Sequence, residues 1–475
     1  MKEKRAIFIS TASQIIVRFF TLAFTLIAVK LITNYLGTKG TGDYNTINTF
    51  LGFFIVIADL GLFSVAVREI AKNPEKERKI LSNVLAIRII TAILAVIFAV
   101  IIMFSTKFSP EVKFGTLVGS GFIFFNLLSS VYDVVLQYKL QMQFSALAEF
   151  ITRIITLIAL YIVIKSHGNF YLIMATLTFS AILIYFFKKI FSDRLAKFRP
   201  EFDQKISKWI FDLAWPLGIV FVMNNLFFKI DTLMVAWIKG SVAVGIYSTA
   251  YKVIEVIVFM GGYFASSLKP VISREIDRDK EGVARIIQKS VNIMLILSLP
   301  VTIISVAFSR EIILFISSPD FAIGAKALIV LSFTLPFIYL DTLLGEVLLA
   351  SNARKLLVKI AVFILAFNFL TNLYFIPKYS YMGAAFTTLM SEIVLFGVNY
   401  YYTKKILPYS FDKKMIAKIF AISLISYFFA VAVKQATSWH FLIIMALTLV
   451  LYILLLNAWK ILTLASLKEL RKSDQ

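Results

Sequence analysis

Thr11-Ala-Ser-Gln14-Ile-Ile-Val-Arg18-Phe-Phe-Thr21-Leu-Ala-Phe-Thr25-Leu-Ile-Ala-Val-Lys30-Leu-Ile-Thr33 is the first apolar stretch of the chain, and its reading decides the fold. As a helix rising 1.5 Å per residue it reaches about 35 Å, enough to cross ~30 Å of hydrocarbon. Thr11, Gln14, Arg18, Thr21 and Thr25 recur at helical spacing, so they share one face, while the other faces are Ile, Val, Phe, Leu and Ala. A guanidinium at the centre of a bilayer costs at least ~2.5–3.5 kcal/mol unless it meets water or a counter-charge. This helix is therefore expected to line the polar, partly cationic interior of a helical bundle.

The whole chain repeats that character. Its 475 residues are 60% hydrophobic and 16% charged, with a mean hydropathy of +0.86. Soluble domains are about 45–50% apolar and about 25% charged. Apolar runs of spanning length recur from 11–33 to 440–462, and we count 14 of them. The expected fold class is an all-α polytopic membrane protein. Met1-Lys-Glu-Lys-Arg5 leads straight into the first span and reads as an uncleaved signal anchor. With no cysteine there is no disulfide, thiolate metal site or Cys nucleophile. His167 and His440 fall in short outer loops, so no histidine metal cluster is expected.

The net charge of +22 could suggest nucleic acid, but the Lys and Arg residues crowd into alternate inter-span segments. That is the positive-inside bias, and it places both termini in the cytoplasm at the cell membrane, with attraction to anionic lipids as a by-product. The longest inner loops, 188–210 and 269–289, are basic and could form surface-lying amphipathic helices.

An internal repeat divides the chain. Gly37-Thr-Lys-Gly-Thr-Gly42-Asp-Tyr44 and Gly240-Ser-Val-Ala-Val-Gly245-Ile-Tyr247 both read G-x4-G-x-Y, offset by 203 residues. The glycines allow a tight outer turn, and the tyrosine can anchor at the interface. Leu160-Tyr161 and Leu373-Tyr374 give a weaker match. Residues 1–187 then form one six-helix bundle, 188–210 a cytoplasmic amphipathic linker, 211–402 a second six-helix bundle, and 403–475 two further spans and a tail. Parallel repeats of this kind are a transporter architecture, with the site expected between the halves.

Other spans carry polar stripes. Asn45, Asn48, Gly52 and Asp59 share a face, as do Asn126, Ser130 and Asp133. Ser145, Glu149, Arg153 and Thr156 follow, then Ser248, Lys252 and Glu255 beside Tyr251. Asp341, Thr342 and Glu346, then Asn368 and Asn372, then Ser391 and Glu392 complete the set. Ionisable groups in such positions are expected to face a bundle interior or an aqueous path. Glu149 with Arg153, and Lys252 with Glu255, are spaced to pair within their own helices. Lys30, Asp133 and Lys229 lie near span ends, where they can snorkel. Asp231 shares a face with Asn224, which makes it a better cavity candidate than Lys229. Arg18 and Arg88 have no acid three or four residues away and read as cavity cations, the alternative being a bond to an acid on another helix such as Asp59.

Enzymatic motifs find no support. The chain lacks a G-x4-G-K-[ST] phosphate loop. Asp277-Arg-Asp279 spells D-x-D but lies in a run of alternating charges in a cytoplasmic loop, where a solvated face is the simpler reading.

Leu36-Gly37-Thr-Lys-Gly40-Thr-Gly42-Asp-Tyr44 followed by Asp59-Leu-Gly61 resembles the start of the polysaccharide-exporting flippases. Ile230-Asp231-Thr-Leu-Met234, Gly245-Ile-Tyr247 and Ala250-Tyr-Lys252 carry the resemblance into the second half. Asn372-Leu-Tyr-Phe-Ile376-Pro377-Lys-Tyr-Ser-Tyr-Met-Gly383-Ala384-Ala385 is similar to that family's link between spans eleven and twelve. These are Wzx-type O-antigen or repeat-unit flippases. They share the multidrug/oligosaccharidyl-lipid/polysaccharide (MOP) superfamily, with its MATE-like fold, with the lipid II flippase and the multidrug and toxin extrusion antiporters. The resemblance implies a substrate, an oligosaccharide on a polyprenyl or dolichyl (pyro)phosphate, moved to the outer leaflet for cell-surface glycan assembly. It implies work alongside membrane lipids, glycosyltransferases and a glycan polymerase.

The residues suit such cargo. Arg18, Arg88 and Arg153 offer bidentate phosphate contacts and Lys252 a point charge. Gln14, Asn48, Asn224 and Tyr251 suit sugar hydroxyls. Asp59, Asp231, Glu255, Asp341, Glu346 and Glu392 are candidate Na+ or H+ coupling sites, and no cofactor is expected. A cation-coupled multidrug antiporter is the nearest alternative, although it would favour an acid where Arg18 stands. A membrane-embedded glycan polymerase or ligase is the second alternative, and it would need a larger outer loop.

Overall fold

The computed structural model describes the backbone of residues 2–351 and 353–461; side chains at 2–16, 18, 19, 217, 220, 221, 224, 260 and 354 lie outside the described set. Among the described residues every regular element is helical and none is a strand, as a chain must be that satisfies its backbone polar groups in lipid without closing a barrel.

Two compact units divide the chain. The first comprises Met1–Ser248 and Ile316–Asp320, the second Thr249–Phe315 and Phe321–Gln475. The first unit holds α1 (Lys2–Asp59), α2 (Leu62–Lys72), α3 (Glu77–Ser105), α4 (Pro110–Gly119), α5 (Gly121–Tyr138), α6 (Met142–Lys165), α7 (Phe170–Asp193) and α8 (Gln204–Lys239), with the start of α9 (Ser241–Glu275). Its core joins Ile47 and Leu51 of α1 to Leu81 and Val84 of α3, Leu127 and Val131 of α5, and Met174 of α7.

The second unit holds the rest of α9, then α10 (Lys280–Ala307), α11 (Ser309–Ile316), α12 (Ala325–Ser332), α13 (Leu335–Ala350), α14 (Arg354–Tyr379), α15 (Tyr381–Ile406), α16 (Lys413–Ala436) and α17 (Phe441–Ala458). Met294 and Leu299 of α10 pack there with Tyr339, Leu343 and Val347 of α13 and Ile419 of α16. Tyr409, between α15 and α16, joins them; burial pushes its phenol up to about 12, so it stays neutral in its 2.6 Å hydrogen bond with Thr403.

Helix starts follow from side-chain caps that satisfy otherwise orphaned N–H groups. Asn169 accepts from Leu172 N at 3.0 Å, Asp203 from Lys205 N at 2.9 Å, Asp279 from Gly282 N at 2.7 Å and Asp412 from Met415 N at 3.0 Å.

By length and composition, 11 helices among the described residues can cross a membrane, or up to 12 if Pro319–Ser332 and Leu335–Ala350, bent by 41°, form one span. The chain is thus a multi-pass membrane protein. The expected 14 spans exceed that count at three stretches. Phe20–Lys72 counts once with 53 residues, yet Gly37 breaks it with φ 62° and ψ −170°. The other two are the bent pair and α8, which includes residues outside the described side chains.

The two long basic loops differ from expectation. α7 continues to Asp193, α8 starts at Gln204, and residues 196–203 between them are not helical. No surface-lying helix forms there, because the neighbouring helices absorb Lys188, Lys189, Lys205 and Lys208. The remaining link is pinned to α3: Asp203 N donates to Asn83 Oδ1 at 2.7 Å and Ser207 Oγ to the same oxygen at 3.0 Å. The loop near 269–289 shortens likewise, with α9 ending at Glu275 and α10 beginning at Lys280.

Candidate functional site

The first unit brings several polar-stripe residues together. A cavity of about 190 Å³ is lined by Ile55, Val56 and Asp59 of α1, Asn126, Leu127 and Ser130 of α5, and Asn225 of α8. Asp59 is its one charged wall. One Asp59 oxygen pairs with the Arg88 guanidinium, and the other accepts from Gly61 N at 3.1 Å. Arg88 is 1% exposed and also donates to the Ala58 carbonyl at 3.3 Å. In this conformation the interhelical bond engages Arg88, and Asp59 carries the polar face toward the cavity. Asn225 went unmarked in the sequence because its neighbour Asn224 shares the face of Asp231. The Asn224 side chain lies outside the described residues, as do those of Thr11, Gln14 and Arg18. Of the first stripe, Thr21 is buried, and the Thr25 hydroxyl donates to the Thr21 carbonyl at 2.8 Å.

A second polar centre lies where α5, α6 and α7 meet. Lys188 reaches Asp133 at 2.6 Å and Glu149 at 3.5 Å, and Ser145 Oγ donates to Asp133 at 2.6 Å. This corrects two expectations. Asp133 does not snorkel; a buried ammonium and a hydroxyl hold it. Glu149 pairs with Lys188, not with Arg153 one turn on. Lys188 is 4% exposed, and the sequence hides it because it sits at a span end among loop lysines. Arg153 remains exposed at the middle of α6, with no carboxylate partner among the described residues.

In the second unit Lys252 and Glu255 of α9 pair at 2.6 Å, three residues apart, as their spacing predicts. Tyr251 beside them is half-buried, as is Asn48 on α1 in the first unit. Glu346 of α13 lies 3.5 Å from Lys269. Asp341 accepts from the Asn399 amide and has no basic partner among the described residues. Asn368 and Asn372 are both 0% exposed and form a ladder into α15: Asn372 Nδ2 donates to Asn368 Oδ1 at 2.9 Å, and Asn368 Nδ2 to Ser391 Oγ at 3.3 Å. Glu392, next along, is buried. Among the described residues no group of three or more His, Asp or Glu is placed to hold a metal ion. The six candidate coupling acids are dispersed, with Asp59, Glu255 and Glu346 each beside a base.

The G-x4-G-x-Y copies meet inside the first unit. Gly37 and Gly240 adopt nearly the same conformation, φ 62° with ψ −170° and φ 79° with ψ −176°, a region open in practice to glycine. A Cβ on Gly42 would overlap the Ser241 carbonyl, and one on Gly245 would overlap the Thr38 carbonyl. Thr38 and Ser241 are themselves 203 apart, so the contact is reciprocal. Asn45 Nδ2 donates to Ser248 Oγ at 2.8 Å, again across 203 residues. The tyrosines are not interface anchors: Tyr247 is 1% exposed and donates to the buried Asp231 at 3.2 Å, while Tyr44 packs partly buried against the core.

Apolar helices of spanning length, ion pairs between them and a mid-span cation make this a polytopic membrane protein with a polar interior. The comparisons narrow this. The model of the polysaccharide biosynthesis protein family matches residues 4–276, more than half of the chain, and the chain belongs to that family. The MatE family model matches residues 216–374. The chain is 24% identical over 392 residues to the capsular polysaccharide biosynthesis protein CapF of Staphylococcus aureus, covering 80% of this chain and 94% of that one. It is 25% identical over 165 residues to the probable flippase AglR of Haloferax volcanii, covering 34% and 35%. Its fold is that of the lipid II flippase MurJ in an inward closed conformation, with TM-score 0.78 and 21% identity over 94% of this chain and 98% of that one.

Proposed function

We propose that the chain is a flippase that carries a lipid-linked oligosaccharide from the cytoplasmic to the outer leaflet by alternating access. Membership of the polysaccharide biosynthesis family and the relatives named as flippases support the reading. The observation that carries it is Arg153, an exposed guanidinium halfway along an apolar helix, with no carboxylate partner among the described residues. Lipid does not accommodate such a group, so it faces water and an anionic cargo. A (pyro)phosphate carried through the protein needs a cation of this kind, and the sugars need the Asn, Ser and Thr groups on neighbouring faces. Arg18 and Gln14 extend the same chemistry along the first span. The carrier is a polyprenyl or dolichyl (pyro)phosphate, glycosyltransferases supply the cargo, and a polymerase receives it. The protein acts as a transporter and not as an enzyme, with both termini cytoplasmic.

Na+ or H+ return through Asp59, Asp231, Glu255, Asp341, Glu346 or Glu392 would couple transport to the membrane potential, about 2.3 kcal/mol per charge per 100 mV. The test is export in cells that lack their own copy. Arg153→Ala and Arg18→Ala should insert at normal levels, abolish surface glycan and accumulate lipid-linked oligosaccharide inside. Normal export by both variants would sink the reading. The MatE match keeps a cation-coupled multidrug antiporter as the second reading; drug transport by vesicles without any effect on surface glycan would favour it.

A further inference from the structure

α14 and α15 leave a groove of about 530 Å³ on the second unit, lined by Lys359, Ile360 and Phe363 on one side and Val394, Val398 and Tyr401 on the other. That volume is typical of a bound organic molecule. The groove is apolar along most of its length and basic at one end. Lys359 lines it there, and Lys405 Nζ lies 4.2 Å from the Tyr401 ring centroid. Both lysines are exposed, and neither meets a carboxylate among the described residues. Gly397 forms part of the wall, and a Cβ there would meet nothing within 4 Å. The opening is therefore real space at a position where a side chain would be sterically free to fill it. Phe363 and Tyr401, 51% and 55% exposed, continue the lining outward as a surface suited to hydrocarbon.

A basic end, tyrosines beside it and an apolar trough running away match a lipid with an anionic headgroup. The charge bias of the chain assigns this end to the cytoplasmic leaflet. We infer that the groove holds one anionic phospholipid of that leaflet, its phosphate between Lys359 and Lys405 and an acyl chain over Gly397. This site stands apart from the transport residues and does not depend on what the protein carries.

The test uses the full chain, purified in detergent and exposed to phosphatidylglycerol or phosphatidylcholine, with retained lipid counted by native mass spectrometry. The wild-type protein should hold one phosphatidylglycerol in preference to phosphatidylcholine. Lys359→Ala with Lys405→Ala should weaken that binding by about tenfold or more. Gly397→Leu should remove it by filling the groove, with both variants melting like wild type. Unchanged phosphatidylglycerol binding by both variants would overturn the inference. So would displacement of the bound phospholipid by equimolar polyprenyl phosphate, which would assign the groove to a substrate tail. Should Gly397→Leu fail to fold, the double lysine variant still decides, because its side chains lie on the surface.

Discussion

Removing the Arg88 guanidinium leaves the Asp59 charge beside a cavity whose other walls are uncharged, and removing Asp59 strands a guanidinium that is 1% exposed. Breaking a fully buried pair from one side costs about 3–5 kcal/mol and less where, as here, the carboxylate is part-exposed, whereas replacing both partners with apolar side chains is close to neutral. Arg88→Ala and Asp59→Asn are each expected to lower the thermal midpoint of the purified protein, and Arg88→Met with Asp59→Leu to recover most of it. A double variant no more stable than the singles would show that Arg88 has another partner. Arg153 should behave in the opposite way. Arg153→Ala leaves stability near wild type, and Arg153→Lys restores export only in part if two-pronged contact with phosphate matters. The melting curve and the export assay together separate the two arginines. Their sequence contexts point the other way, since Arg153 has Glu149 four residues before it and Arg88 has no acid three or four residues away. The placement of α1 beside α3 shows that Arg88 is spent, and Lys188 of α7, by taking Glu149, leaves Arg153 available.

Local pairing was legible in the sequence where both partners lie within one turn, as for Lys252 and Glu255. It misled for Glu149, because α7 delivers Lys188 from 39 residues away and a nearer partner is preferred only when nothing better arrives. The glycine motif was legible as a turn but not as a contact, since spacing shows that two segments match and not that they touch. The element-level prediction rests on that contact. Gly42→Val and Gly245→Val should each destabilise the protein by at least about 2 kcal/mol through overpacking. Gly52→Ala, whose Cβ meets nothing within 4 Å, should be neutral or stabilising by about 1 kcal/mol. Equal midpoints for all three would show that the close approach is not rigid. The apolar run 324–350 reads as one span in the sequence, because periodicity gives no sign of the 41° bend between Pro319–Ser332 and Leu335–Ala350.

At the scale of the molecule, composition and charge placement were enough to read a polytopic helical protein, and the motifs enough to read the family. What they could not supply was which polar groups are consumed by the fold, because that depends on helices meeting far apart in sequence. Orientation is directly testable, because the chain has no native cysteine. A single cysteine at Lys239 or Lys378 should react with an impermeant maleimide added to intact cells, and one at Lys197 only after lysis. Reversed labelling would invert the topology. The reciprocal meeting of residues 37–45 with 240–248 has a consequence of another kind. A contact in which each copy presents the same patch is isologous, the arrangement by which two identical subunits pair about a twofold axis. The patch now joins two stretches of one chain, but Asn45 and Ser248 still face each other at the same register. Within one chain the two copies thus meet as the subunits of a twofold dimer would, differentiated at that point into a donor and an acceptor.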